Sequence, residues 1–152
     1  MSVDNSNVTI KKILVGIDGS EYSLRALEFA IGLAKKYDSQ IIAFTAFHIP
    51  EIYKIFQNKE NYNAISIQDE IMRSKDLLKS IKEEGPKNQI EIHTEFVNSS
   101  LTPDVAIIEY CKENNVDHIV LGHRGRSIEN LLIGNIANSV IAKSESSVTV
   151  VK

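Results

Sequence analysis

The sequence contains little cysteine and no long apolar run. Cys111 is the one cysteine among 152 residues, so no internal disulfide can form, which suits a reducing compartment. The longest apolar runs are only as long as a β-strand, and the first residues, MSVDNSNVTIKK, contain no apolar segment of the kind that a secretory signal needs. These absences predict a cytoplasmic protein that neither crosses nor binds a membrane.

The chain also has no large excess of charge of either sign. Lysine and arginine total 17 and aspartate and glutamate total 20, which gives a formal net charge of -3. General affinity for nucleic acid or anionic membrane requires a positive excess, so neither partner is expected. Hydrophobic residues make up 43% of the chain and charged residues 24%, as in an ordinary globular protein. We therefore predict one domain over residues 1–152, with residues 1–10 flexible.

Sequence motifs for metal binding and catalysis are missing as well. The histidines show no metal-ligand spacing, and they are His48, His93, His118 and His123. His48 and His93 are interpreted as solvated side chains, and Cys111 as a small hydrophobic residue rather than a nucleophile. No carboxylate pair and no Ser/His/Asp arrangement can be argued from spacing. We therefore expect no metal site, and these residues do not support enzymatic chemistry.

Five segments have the pattern of β-strands. Residues 90–96 alternate apolar and polar side chains, as a half-exposed strand near a sheet edge does, and the others are apolar runs. In chain order the segments are KKILVGI (11–17), QIIAFTAF (40–47), residues 90–96, VDHIVLG (116–122) and SVTVVK (147–152). Residues 49–65 have no clear period and are interpreted as a long connection.

The first two predicted helices lie on either side of the second strand. Ser20 is predicted to cap the first helix. Its apolar residues recur at helical spacing, and they are Leu24, Leu27, Ile31 and Ala34. Ser66 and Asp69 resemble a capping box for the second helix, which is predicted to end before Gly85-Pro86.

Two further helices are predicted in the second half of the chain. Thr102-Pro103 opens the third helix, with proline at its first position. The residues expected on the inner face of this helix are Ile107, Tyr110 and Cys111. Asn135 is predicted to cap a fourth helix that carries Ile136 and Val140.

The predicted elements follow the order β-α-β-(long connection)-α-β-α-β-loop-α-β. This order predicts an α/β fold: a doubly wound, five-stranded parallel sheet with helices on both faces, as in Rossmann-like proteins. Ligands of such sheets bind beyond the carboxyl ends of the strands, where the winding direction reverses. Asp18-Gly19-Ser20 and residues 122–125 both follow strands, so we expect them at the same edge of the sheet.

The glycines of GHRGRSIENLLIGN, residues 122–135, are the strongest chemical feature. Phosphate binding needs backbone N–H groups near a helix N-terminus and no Cβ atoms in the way. Gly122, Gly125 and Gly134 provide such space, and Arg124 and Arg126 add positive charge. The segment contains neither the P-loop pattern GxxxxGK[ST] nor the dinucleotide fingerprint GxGxxG. On these residues alone, a phosphate cradle and glycines that serve only turn geometry are equally open.

Three blocks together resemble the universal stress protein family. They are VGIDGSEYSLRAL (15–27), VDHIVLGHRGRS (116–127), and IGN followed by VTVVK near the end, and the resemblance covers residues 11–152. Members of this family are small, doubly wound α/β domains of the adenine nucleotide alpha hydrolase-like type, and they commonly dimerise. One branch binds ATP through a motif of Gly, two residues, Gly, nine residues, Gly, and Ser or Thr. Another branch lacks the motif and does not bind ATP.

The resemblance implies a nucleotide site at the matching positions. Gly122, Gly125 and Gly134 match the three glycines of the motif. Asp18 matches an acidic residue near the adenosine, and Ala46 matches the strand position whose backbone contacts the adenine edge. With their neighbours, the implied nucleotide-binding residues are Gly16, Ile17, Asp18, Ala46, Leu121, Gly122, Arg124, Gly125, Arg126, Gly134, Asn135 and Ile136.

The chain departs from the motif at two points. Eight residues, not nine, separate Gly125 from Gly134, and Asn135 replaces the usual Ser or Thr. A loop shorter by one residue reaches about 3.5 Å less, whereas asparagine keeps a donor and can still cap a helix. The implied ligand is ATP or AMP, with Mg²⁺ only through bound ATP. Three functions stay open: a nucleotide-responsive stress-response regulator or binding module, a nucleotide-free dimeric adaptor, and a slow ATP hydrolase.

The last predicted strand indicates how the chain self-associates. Val148 and Val150 share one side of SVTVVK. An apolar edge strand with unpaired N–H and C=O groups tends to pair, and pairing two copies across a two-fold axis closes the assembly. We therefore expect a homodimer through this strand, which the resemblance also implies.

Overall fold

The computed structural model describes residues 8–49, 64–125 and 134–152, and for residues 64–66 the backbone only. Its five strands form one sheet in which all neighbours are parallel. The strands are β1 (Lys12–Gly16), β2 (Gln40–His48), β3 (Ile92–Ser99), β4 (His118–Gly122) and β5 (Ser147–Val151). They lie in the order β3-β2-β1-β4-β5, so the predicted parallel sheet is confirmed, with β3 at one edge as expected.

Helices cover both faces of this sheet. They are α1 (Glu21–Tyr37), α2 (Ala64–Asn88), α3 (Pro103–Glu113) and α4 (Asn135–Lys143). α1 and α2 bury one apolar cluster against the sheet, and α3 and α4 bury a second cluster against the opposite face. The winding direction reverses between β1 and β4, because β2 and β3 lie to one side of β1 and β4 and β5 to the other. The doubly wound arrangement is confirmed, and its carboxyl-edge crevice lies at this reversal.

The central strand β1 shows why the apolar runs form strands. Ile13, Leu14 and Val15 are all fully buried. Because side chains alternate along a strand, Ile13 and Val15 pack under α1 and α2, while Leu14 packs under α3 and α4. A strand covered on both faces needs consecutive apolar residues rather than an alternating pattern.

Two of the predicted helix starts are confirmed. Ser20 caps α1, because its hydroxyl accepts the Ser23 N–H at 3.2 Å. Pro103 is the first residue of α3, where its missing N–H breaks no helical bond. Ile107 and Cys111 are buried on the inner face of α3, as the spacing predicts.

The other two predicted helix starts are wrong. Ser66 does not begin α2, because the helix already includes Ala64. α4 begins at Asn135, so Asn135 is its first residue and Gly134 is its N-cap. The Gly134 carbonyl accepts the first helical bond, from the Asn138 N–H at 3.0 Å. Glycine is also a common N-cap residue. Because asparagine is a stronger N-cap former, the sequence predicted the cap one residue too late.

α2 also continues through Gly85-Pro86 to Asn88, so the end predicted before Gly85 is wrong. A Schellman motif ends the helix instead. Gln89 has a left-handed φ of 57°, and the Ile90 N–H donates to Gly85 O at 3.0 Å. Glycine is needed at position 85 because a Cβ there would lie 2.9 Å from Ile90 O.

Gln89→Gly should stabilise the protein by roughly 0.5–1 kcal/mol, because glycine adopts the left-handed conformation without the strain of an L side chain. Lys79→Gly, in the exposed middle of α2, is the matched control and should destabilise the protein by about 1 kcal/mol. Urea denaturation measures both changes. A Gln89→Gly midpoint at or below that of the wild type would contradict the prediction.

The inner face of α1 differs in part from the predicted one. Leu27 and Ala34 are buried as expected, but Leu24 is 38% exposed and Ile31 is only partly buried. The other buried positions of α1 carry small side chains, and they are Ser23, Ala26 and Ala30. These small residues let α1 lie close to the sheet. The larger side chain of Leu24 therefore lies at the side of the helix, although Leu24 fits the helical spacing of the buried residues.

Parts of two predicted segments lie outside the described residues. They are residues 50–63 of the long connection and residues 1–7 of the start. Ile10, in the described part of the start, packs against the core cluster of α1 and α2. Within the described ranges, no helix combines the length and the apolar character needed to cross a membrane.

Candidate functional site

A cavity of about 430 Å³ opens at the carboxyl edge of the sheet, where the winding direction reverses. The ends of β1, β2 and β4 and the first turns of α3 and α4 form its walls. The predicted site residues that line it are Gly16, Ile17, Asp18, Ala46, Leu121, Gly122, Arg124, Gly125, Gly134, Asn135 and Ile136. Arg126, the remaining predicted site residue, lies outside the described residues.

Further lining residues were missed by the sequence reasoning. They are Ser23, Phe44, Pro103, Ile107 and Ala137. Phe44 stands two residues before Ala46 on β2, and Ile107 stands one helical turn after Pro103 on α3. These strand and helix periods are the signal that could have identified them. Phe44 packs against the ring of Tyr110 with centroids 5.0 Å apart, so this end of the cavity has a firm apolar wall.

The backbone of β2 faces the cavity at Ala46. The Ile17 N–H donates to Phe44 O at 2.8 Å, at the end of the β1–β2 pairing. Backbone groups two residues apart on a strand point the same way, so the N–H and C=O of Ala46 point to the place where β1 has ended. Ile17 O accepts the Thr45 hydroxyl at 2.8 Å. Ala46 therefore offers one donor and one acceptor to the cavity.

Space, rather than backbone conformation, constrains the glycines of the cavity. Among the described glycines only Gly19 has a left-handed φ, of 81°. A Cβ on Gly122 would lie 2.7 Å from the backbone C of Tyr22, and a Cβ on Gly125 would lie 2.8 Å from Asp18 Oδ2. These two glycines therefore serve packing, and neither needs a left-handed backbone conformation. Gly122 makes room for the first turn of α1, and Gly125 makes room for a carboxylate.

Asp18 connects the turn after β1 with the loop after β4. Its Oδ1 accepts the Ser20 N–H at 2.8 Å, which forms the local turn that leads into α1. Its Oδ2 packs against Gly125, next to the position that a Cβ atom would occupy there. The two glycine-bearing turns therefore meet at one edge of the sheet, as the sequence predicts.

The segment between Gly125 and Gly134 has its two ends close together. The Gly134 N–H donates to His123 O at 2.8 Å, and a Cβ on Gly134 would lie 3.8 Å from Gly125 N. The eight-residue spacing therefore does not draw the two glycines apart.

The first turn of α4 lines the cavity with backbone donors. Its first helical bond runs from the Asn138 N–H to Gly134 O, so the N–H groups of Asn135, Ile136 and Ala137 precede the intrahelical pattern. All three residues line the cavity. N–H groups at the positive end of a helix dipole attract anions.

Arg124 lines the same cavity and carries a buried donor without a partner among the described residues. Its side chain is half-buried, and its Nε is buried without a hydrogen-bond partner among the described residues. Buried guanidinium N–H groups are nearly always hydrogen-bonded in native proteins. The site therefore fits a ligand that supplies an acceptor at this point.

Other candidate side chains lie away from the cavity. His93 is exposed beside Glu91, as predicted. His48 is the last residue of β2, not a loop residue, and its Nδ1 lies 2.9 Å from Leu101 O at the exposed surface. Burial raises the pKa of the Cys111 thiol to about 12, and its prediction as a core residue is confirmed. Across the described ranges, no three His, Cys, Asp or Glu side chains are grouped to hold a metal ion.

Comparison with known proteins gives matches along nearly the whole chain. Residues 9–152 match the model of the universal stress protein family. A universal stress protein of Methanocaldococcus jannaschii is 29% identical, over 99% of this chain and 86% of its own length. The solved structure of universal stress protein UspA from Lactobacillus plantarum has a TM-score of 0.79 and 21% identity, over 96% of this chain and 100% of that one. The universal stress protein from Archaeoglobus fulgidus in complex with dAMP has a TM-score of 0.66 and 19% identity, over 95% and 100%.

Proposed function

The chain belongs to the universal stress protein family, and on this premise we propose that it binds an adenine nucleotide, ATP or AMP, at the carboxyl edge of the sheet. Binding serves a stress-response regulator or binding module, in which nucleotide occupancy biases an interaction surface. The Archaeoglobus fulgidus neighbour in complex with dAMP supports this ligand class. The cavity of about 430 Å³ also falls within the usual size of small-molecule sites, about 300–1,000 Å³.

The apolar end of the cavity suits the adenine ring. Phe44, Pro103 and Ile107 provide apolar walls for a flat base. Ala46 offers a backbone N–H and C=O side by side, and adenine presents an amino donor beside a ring-nitrogen acceptor. A base with the reversed order of donor and acceptor pairs poorly with this edge, so the proposal favours adenine over guanine.

The polar end of the cavity suits phosphate. The N–H groups at the start of α4 and the Arg124 guanidinium supply donors and positive charge. Asn135 places an amide, in place of the motif's hydroxyl, in the first turn of the same helix. Mg²⁺ enters only with the phosphates of ATP and is not expected with AMP.

The unpaired Nε of Arg124 is the observation that carries the proposal, and it can be tested directly. Arg124→Gln should weaken AMP binding about fivefold, or roughly 1 kcal/mol, because glutamine keeps a donor but loses the charge. Arg25→Gln removes the same charge from an exposed arginine that pairs with Glu21 on α1, and it should leave the affinity unchanged. Isothermal titration calorimetry measures both variants.

Nucleotide released on denaturing the purified protein gives an independent check. Mass spectrometry of the released material should detect an adenine nucleotide. A wild-type protein that releases no nucleotide and shows no calorimetric binding to AMP or ATP would reject the proposed function and favour the adaptor.

A nucleotide-free dimeric adaptor is the second candidate, and the position of β5 supports the dimer that it requires. Within the described part of the chain, β5 pairs with β4 only. Val151 O accepts the His123 N–H on the β4 side, so the backbone groups of Val148 and Val150 face the free edge. Pairing two copies through these groups gives a closed dimer. The dimer is compatible with either function.

Val150→Pro should convert the dimer into a monomer, because proline removes an edge N–H without breaking the ladder between β4 and β5. Val150→Ala is the matched control, since it trims the same half-buried side chain but keeps the N–H, and it should stay dimeric. Light scattering at micromolar concentration measures the mass. A monomeric wild type, or a dimeric Val150→Pro variant, would exclude this interface.

A further inference from the structure

His123 joins three elements through its backbone and its ring. Its N–H donates to Val151 O at 2.7 Å, and its C=O accepts the Gly134 N–H at 2.8 Å. Val151 ends β5, and Gly134 is the N-cap of α4. The His123 ring meets the ring of Tyr22 on α1 at an angle of 60°, with centroids 6.0 Å apart. One residue therefore contacts the edge strand, a cavity-lining helix and α1.

The two backbone bonds of His123 also hold the cavity wall in place. His123 stands between Gly122 and Arg124, and both of these line the cavity. A Cβ on Gly134 would lie 3.5 Å from Arg124 Cα and 3.5 Å from His123 O, so the start of α4 packs directly on this loop. A movement of the His123 peptide must therefore displace the cap of α4, because the two share a hydrogen bond.

Of the elements that His123 contacts, β5 is the one that can most readily open locally or pair with a second chain. Edge strands open locally at a lower free energy than central strands, because fewer contacts hold them. β5 is also the strand whose free side can pair with a second chain. The His123–Val151 bond therefore connects the cavity to an element whose order depends on its surroundings.

We infer that His123 couples the occupancy of the cavity to the state of β5. A ligand that contacts residues 122–125 and the first turn of α4 holds the His123 peptide in place and so strengthens its bond to Val151. Pairing of β5 with a second copy of the chain strengthens the same bond from the other side. Coupling between two binding equilibria is reciprocal. Nucleotide therefore raises the dimerisation constant of β5 by a certain factor, and dimerisation raises the nucleotide affinity by the same factor. The nucleotide part of this inference rests on the proposed function, whereas the connection between β5 and α4 does not.

The connection is tested first without ligand, with a chain that ends at Val150 and therefore lacks the acceptor of Val151. A chain that ends at Val151 is the matched control, since it keeps that acceptor. Hydrogen exchange followed by NMR should show the Gly134 amide exchanging about fivefold faster or more in the shorter chain, within the usual range for coupled sites. Circular dichroism checks that both chains are folded. An unchanged Gly134 exchange rate in a folded chain overturns the coupling, whether or not nucleotide binds.

Nucleotide affinity gives the second test. AMP should bind the chain that ends at Val150 about fivefold more weakly than the chain that ends at Val151. AMP should also protect the Val151 amide of the wild type more than the Glu95 amide of β3, which faces β2 at the opposite edge of the sheet. If the chain that ends at Val150 does not fold, this difference in protection tests the coupling, and equal protection of the two amides overturns it.

The outcomes separate the two proposals. Wild-type binding of AMP with equal affinities for the two shortened chains overturns the coupling and leaves the proposed function intact. A wild type that binds no adenine nucleotide overturns the proposed function, and the ligand-free exchange of Gly134 then decides whether β5 and α4 are connected.

Discussion

Replacing Gly122 with alanine is expected to destabilise the protein by roughly 3 kcal/mol, at the upper end of the usual effect of overpacking. The new Cβ would lie 2.7 Å from the backbone C of Tyr22, 2.8 Å from its Cβ and 2.9 Å from its O. These atoms belong to the first turn of α1, so they cannot move without lifting the helix from β4. Urea denaturation followed by circular dichroism measures the loss as a lower midpoint.

Gly32→Ala is the matched control for Gly122→Ala. Gly32 lies in α1 and no atom lies within 4 Å of the position that its Cβ would take. The same chemical change should therefore stabilise the protein, by roughly 0.5–1 kcal/mol, because alanine favours the helix. If Gly122→Ala unfolds at the wild-type midpoint, α1 does not pack against β4 in the way described.

The sheet could be predicted from the sequence because its strands and helices carry different periods. Continuous apolar runs such as Ile13 to Val15 mark strands that are covered on both faces. Helix ends could not be predicted equally well. Gly85-Pro86 is a common signal for the end of a helix, but α2 continues to Asn88. The left-handed residue that ends it is Gln89, not a glycine. Helix propensity does not show which residue takes the strained left-handed conformation at the end of a helix.

Most of the residues that line the cavity could be predicted from the resemblance, but not the physical reason for each of them. Gly122 was expected to allow a phosphate to approach, whereas its missing Cβ makes room for α1. Phe44 and Ile107 line the cavity, yet in the sequence they look like any other core residues. Their role arises only when β2 and α3 meet beyond the end of β1. The sequence marks them only by their spacing from Ala46 and Pro103, and that spacing does not show that the two elements meet.

Gly125→Ala is expected to lower AMP affinity about 30-fold, or roughly 2 kcal/mol, while the free energy of unfolding falls by only about 1 kcal/mol. Its Cβ would lie 2.8 Å from Asp18 Oδ2, which is the end of a side chain and not a piece of backbone. The carboxylate can rotate, which costs the fold the bond from the Ser20 N–H but needs no shift of the backbone. Rotation also removes the carboxylate from the cavity that it lines, and a hydrogen bond that the nucleotide donates to a charged group is worth about 1.5–3 kcal/mol.

A double-mutant cycle shows whether the methyl group of Gly125→Ala acts through Asp18. Asp18→Ala removes the carboxylate, so adding Gly125→Ala to it should change AMP affinity by less than about twofold, although the same change lowers the affinity of the wild type about 30-fold. Additive losses would mean that Gly125 contacts the nucleotide itself, as the motif implies, and that its packing against Asp18 is incidental. Calorimetry on the four proteins, with urea denaturation of each, therefore distinguishes a glycine that positions a carboxylate from one that makes room for the ligand.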